Sequence, residues 1–151
     1  MIACIIADTE RVRNITCAVS AEVLRKGNYV TIVAYGKTVK TALEVHKLLK
    51  KSNISAEIIN ARFLKPLDEE TIIKSIQKTK NVITIEDNLL KGGLGSAVLE
   101  VINKNRMDNI KVQTYGYDDI FVEHGKVEEL ENKYGLTSEQ IIKGNTILGI
   151  E

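Results

Sequence analysis

NVITIEDNLLKGGLGSAVLEVI, residues 81–102, is the stretch on which the fold turns. Val82 to Ile85 is a short β-branched run, the composition of a buried strand. Glu86-Asp87-Asn88 closes it and the glycine turn Gly92-Gly93-Leu94-Gly95-Ser96 follows. Leu94, Ala97, Val98, Val101 and Ile102 then recur at helical spacing. Strand, glycine turn and helix is also how many proteins hold a phosphate on the free amides of a helix start. The letters do not fit that use. A Walker loop needs GxxxxGK[ST] and a dinucleotide loop GxGxxG. Here Gly95 is followed by Ser96, Ala97 and Val98, with no lysine and no third glycine. Glu86 and Asp87, just ahead of the loop, would repel a diphosphate. The reading favoured is structural: glycines let a helix start close against a sheet, and Ser96 bonds free backbone groups.

The same alternation extends outward. Towards the N-terminus, Ala21 to Leu24 is a short strand candidate, then a turn at Arg25-Lys26-Gly27-Asn28, then the buried strand Tyr29 to Tyr35. The short turn implies an antiparallel hairpin. Val39, Ala42, Leu43, His46 and Leu49 mark a helix, and Ala56 to Ala61 a strand. Pro66 interrupts, and Asp68 caps a helix whose stripe is Ile72, Ile73 and Ile76. Towards the C-terminus, Ile110 to Tyr115 is the last strand, and two short helices finish the chain. Thr137 and Gln140 form a capping box, with Gly144 as the stop. The expected fold is a three-layer α/β/α domain. Its mixed sheet has about five strands, mostly parallel with one antiparallel.

Composition narrows the function. Of 151 residues, 44% are hydrophobic, enough for one domain with a core. Lys and Arg number 21 against 20 Asp and Glu, a net charge of +1. That balance predicts neither nucleic acid nor an anionic membrane as partner. No apolar run approaches the ~20 residues of a membrane span, and no secretory leader is legible, so a cytoplasmic protein is expected. Cys4 and Cys17 lack the clustering of a zinc site and read as reduced thiols.

In an open parallel sheet, ligands gather beyond the carboxyl ends of the strands. Those ends carry Lys37, Arg62, Lys65, Glu86, Asp87, Asn88, Lys91, Asp118, Asp119, Glu123 and His124. His124 is of a type that titrates near neutrality, but no serine or cysteine nearby in sequence completes a triad. His46, in the apolar stripe of its helix, reads as a locally satisfied histidine. The segment 126–133 reads as a solvated helix face. The candidate interface or ligand edge is therefore Arg62, Lys65, Glu86, Asp87, Asn88, Gly92, Gly93, Gly95, Ser96 and His124, with no catalytic, cofactor or metal residue assigned.

Five motifs in order complete the reading: RFLKPLD (62–68), IEDN (85–88), GGLGSAV (92–98), FVEHG (121–125) and KYGLT (133–137). Over about residues 21–150 the chain resembles the C-terminal domain of 1-deoxy-D-xylulose-5-phosphate synthases, transketolase-like enzymes. The resemblance implies thiamine diphosphate and Mg²⁺ in a full enzyme that joins pyruvate to glyceraldehyde 3-phosphate with loss of CO2. It implies that the cofactor sits between two earlier domains. No GDG motif for the diphosphate and metal occurs in these 151 residues. The glutamate that activates the cofactor belongs to an earlier domain, so Glu86 does not inherit that role. The resemblance implies a packing domain, inactive alone, in a homodimer or beside a partner chain that carries the cofactor domains. Residues 1–20 are set apart as an atypical segment before a domain at 21–151. They lack the family's Pro-Arg-Gly-Asn stretch, which is what a separate short reading frame would give. Asp118-Asp119 stands where the family has Pro-Asp. The alternatives are a free-standing module that takes a small anion or nucleotide on Arg62 or Lys65, and one subunit of a split enzyme.

Overall fold

The computed structural model describes residues 20–148; the readings made at 1–19, the two cysteines included, lie outside the described residues. The strands are β1 (Glu22–Arg25), β2 (Val30–Ala34), β3 (Ala56–Asn60), β4 (Asn81–Leu89) and β5 (Lys111–Tyr117). The helices are α1 (Thr38–Lys51), α2 (Glu69–Thr79), α3 (Leu94–Lys104), α4 (Val127–Lys133) and α5 (Ser138–Lys143). The strands form one sheet in the order β1-β3-β2-β4-β5. All neighbours are parallel except β1 against β3.

Strand alternation sorts the core into two layers. Val30, Ile32, Ala34, Ile58, Ile83 and Ile85 pack with Ala42, Val45 and Leu49 of α1 and Ile141 of α5. Val33, Ile59 and Val82 turn the other way, onto Ile72 and Ile76 of α2 and Leu94 and Val98 of α3. On that second face Thr31 is fully buried. Its hydroxyl meets Ser75 Oγ at 2.6 Å and Thr79 Oγ1 at 2.7 Å, so the polar atoms between β2 and α2 satisfy one another. The stripe of α2 is thus Ile72, Ser75, Ile76 and Thr79, with Ile73 only half-buried. Asp68 caps it, accepting from Thr71 N at 3.1 Å. At α5, Thr137 Oγ1 accepts from Gln140 N, but the Gln140 side chain bonds the Thr137 hydroxyl and Asn132 O. Half of the capping box is therefore made.

The expected hairpin is not. β1 and β2 do run antiparallel, but β3 lies between them. Every residue of β2 is buried, and both its edges are taken by parallel neighbours. β1 is short, with three of its four residues exposed, and goes to the rim. The connection crosses the start of β3, where Tyr29 N donates to Ser55 O at 2.9 Å. Gly27 permits the crossing: a Cβ there would lie 2.2 Å from Ala56 C.

The two sequence-derived strand ends near the glycine loop also move. β4 runs on through Glu86, Asp87 and Asn88 to Leu89, and β5 to Tyr117. Between Ile85 and Leu89, four residues of β4 advance against two of β5, a bulge that bends the strand end.

Gly27→Ala drives a methyl into backbone rather than a flexible side chain, and is expected to lower stability by about 1–3 kcal/mol. Urea unfolding of the variant against the parent checks this; an unchanged midpoint would show that the crossing has room.

Candidate functional site

The parallel register aligns Ala34, Asn60, Ile85 and Tyr115 at the carboxyl ends of four strands. One group organises this edge. Glu86 is fully buried. Its Oε2 accepts from Leu94 N at 2.8 Å and its Oε1 from Gly95 N at 2.9 Å. These are first-turn amides of α3, whose N-cap, Gly93, has no side chain to serve them. Glycines make room for the carboxylate: a Cβ on Gly93 would sit 2.0 Å from Glu86 Oε2, and one on Gly116 2.9 Å from Glu86 Cγ. Gly95 lies against β4 and β5, where a Cβ would come 2.7 Å from Thr114 Cγ2 and 3.1 Å from Thr84 Oγ1. Ser96 closes the loop, its hydroxyl donating to Leu90 O at 2.8 Å and accepting from Gly92 N at 3.0 Å. Gly92 turns the chain with a φ of +73.

The loop therefore has the form of an anion cradle, and its anion is the protein's own Glu86. Burial pushes the Glu86 carboxyl above the ordinary range, against the opposing pull of the Gly95 and Leu94 amides. The sequence reading treated Glu86 as a group that keeps phosphate away; it is the group in the phosphate's place. The only hint in the letters is a glutamate eight residues before Leu94 and nine before Gly95. Gly116, on another strand, carries no such hint.

The other candidates fall into separate clusters. Lys37 Nζ reaches Asp87 at 3.0 Å and Glu131 at 3.2 Å, tying the end of β2 to β4 and α4. Burial alone would lower the Lys37 pKa; Asp87 and Glu131 overcome it and hold the ammonium above its ordinary value. Glu131 belongs to the helix face read as merely solvated. Tyr35 is raised by burial, then by the negative charge of Glu86 and Asp87, with Asn88 bonding it in the opposite sense. Lys91 pairs with Asp119 at 2.7 Å. Arg62 and Lys65 follow β3, separated from Glu86 by β2. Arg62 reaches Ser20 O at 3.5 Å and stacks 5.9 Å from the Phe63 ring centre. Lys65 lines a cleft with Glu69, Glu100 and Lys104. His124 is exposed on the loop before α4, and its neighbour Glu123 pairs with Lys133. At α1, His46 Nδ1 lies 3.2 Å from Ala56 O.

The implied cofactor does not fit this edge. Among the described residues no group of three His, Cys, Asp or Glu side chains stands ready to hold a metal ion. The helix amides suited to a diphosphate are already occupied by Glu86. No described helix is long and apolar enough to cross a membrane.

Residues 20–141 match the family model described as transketolase, C-terminal domain. The chain belongs to that family. Curated relatives include the 1-deoxy-D-xylulose-5-phosphate synthases of Desulforudis audaxviator and Pelotomaculum thermopropionicum. They are 42% and 44% identical over 123 residues, covering 82% of this chain and 19% of each relative. The chain thus spans about a fifth of the length of these enzymes. A solved structure titled split gene transketolase, inactive beta4 tetramer, superposes with a TM-score of 0.76 at 38% identity. It covers 82% of this chain and 40% of that one.

Glu86 yields a pH signature. Its folded pKa lies above the unfolded one, so the folded state holds the extra proton between the two. Stability should fall as pH rises through that window and level off above it. Glu86→Gln should remove this descent, and Glu86→Ala should cost about 2–4 kcal/mol by stranding two buried amides. Chemical denaturation across pH 4 to 8 reads both; a parent profile identical to that of Glu86→Gln would refute the assignment.

Proposed function

We propose that this chain serves as the C-terminal packing domain of a 1-deoxy-D-xylulose-5-phosphate synthase-like enzyme and is inactive by itself. The supporting observation is the occupied helix start: the edge most like a phosphate site is filled by Glu86. Family membership and the absence of a GDG motif from these 151 residues support the same reading. In the complete enzyme, thiamine diphosphate and Mg²⁺ would act on pyruvate and glyceraldehyde 3-phosphate in domains supplied elsewhere. This domain would add interdomain and dimer contacts. Ile120 and Phe121, 47% and 97% exposed on the loop between β5 and α4, offer apolar surface for such contacts.

A second reading, one subunit of a split enzyme, is favoured by the likeness to the split gene transketolase chain. Both readings place the cofactor on other residues. A ligand at a hundred times its dissociation constant adds about 2.7 kcal/mol, or roughly 5–10 °C in midpoint for a domain of this size. Thiamine diphosphate with Mg²⁺ is expected to give no shift with this chain alone, and pyruvate with glyceraldehyde 3-phosphate no CO2. Activity is expected on mixing with a transketolase-type chain that carries the cofactor domains. A thiamine diphosphate shift with the isolated chain would overturn the proposal.

Phe121→Asp should weaken association in sedimentation runs while changing the chain's own stability by no more than about 0.5 kcal/mol. An unchanged association would move the interface elsewhere.

A further inference from the structure

A second concave feature lies at the opposite, amino edge of the sheet, between the end of β1 and the last turn of α1. It is a groove of about 400 Å³, within the range of small-ligand sites (roughly 300–1,000 Å³). Arg25, Lys26, His46 and Lys50 line it, and no carboxylate does. At the carboxyl edge, by contrast, Lys37 and Lys91 each hold an acidic partner. Arg25, Lys26 and Lys50 make no ion pair among the described residues.

The backbone places Arg25 there by an irregularity. Val23 pairs with Ile59, so an even register would set Arg25 opposite Glu57, on the face where Glu57 is bonded to Lys78. A one-residue bulge sets it opposite Ile58 instead, on the α1 face. The arginine thereby forgoes a buried carboxylate and joins the other cations. The C-terminal dipole of α1 favours cations here, and Lys50 of α1 is joined by Arg25 at the end of β1 and Lys26 just after it. The last carbonyls of α1, Leu49 O and Lys50 O, are also already bonded by the amides of Ser52, Asn53 and Ile54. His46, on the groove wall, is fixed by the contact of its Nδ1 with Ala56 O. Half-buried Ile54 adds an apolar wall.

We propose that this groove binds a small phosphorylated compound, a phosphate or diphosphate ester. Arg25 would fork onto the phosphoryl oxygens, Lys26 and Lys50 would neutralise charge, and Ile54 would meet the carbon portion. The site is independent of the packing role proposed above.

Calorimetric titration of the full chain at physiological ionic strength, with inorganic phosphate, inorganic pyrophosphate and glycerol 3-phosphate in separate runs, tests it. One saturable site is expected, with glycerol 3-phosphate bound more tightly than inorganic phosphate. Arg25→Gln and Lys50→Gln should each weaken binding about tenfold or more, with melting curves that match the parent. Lys40→Gln, which removes an exposed charge from the first turn of the same helix, should not. No saturable binding, an equal loss in Lys40→Gln, or a loss only in Arg62→Gln or Lys65→Gln would overturn the site. Binding of the inorganic ions without the ester would overturn the ester assignment.

Discussion

The carboxylate of Glu86 on the amides of Leu94 and Gly95 is the contact on which the carboxyl edge depends. A buried carboxylate is costly in an apolar interior, and a helix start with two unserved amides is costly as well. Each answers the other, aided by the positive end of the helix dipole. The remaining features of the edge follow from making that pair fit. Alternation along β4 turns Glu86 beneath α3, and Gly93 and Gly116 must lack side chains to clear it. Gly95 must let the helix lie close to Thr84 and Thr114. The closeness leaves a mark, since Thr84 Oγ1 is buried with no hydrogen-bond partner among the described residues.

Charge on the rest of the edge is arranged to hold loops together. Lys37 bridges β2, β4 and α4, and Lys91 joins the glycine loop to the loop after β5. These pairs are substantially exposed, so each contributes little to stability. Their consequence is positional: they gather the segments that carry Asp119, Ile120 and Phe121 against the sheet's end.

The layers were legible because the period of burial was legible. Val33, Ile59 and Val82 against Ile32, Ile58 and Ile83 alternate as a sheet covered on both faces demands. The hairpin was misread because sequence adjacency says nothing about a strand inserted later. Only the complete burial of β2 decides that its edges belong to β3 and β4. The bulges escaped for a related reason: β1 and β4 slip register by backbone geometry, with no letter that marks it. At the candidate edge, the sequence placed the loops at the strand ends but could not pair Glu86 with α3, because the partners are amides and amides have no letter.

The same limit explains how one loop suits two readings. Strand, glycines and helix create free amides, and what fills them depends on whether an acidic side chain reaches inward from the strand end. Position 86 decides it here. It directly follows Ile85, whose side chain faces α1, so alternation turns the Glu86 side chain towards α2 and α3. Placed one residue later, the carboxylate would face α1 and leave the amides of Leu94 and Gly95 open. Asp87 is in that position, is exposed, and binds Lys37 instead. The parity of one acidic residue along β4 thus separates a helix held by its own chain from a helix that waits for a phosphate.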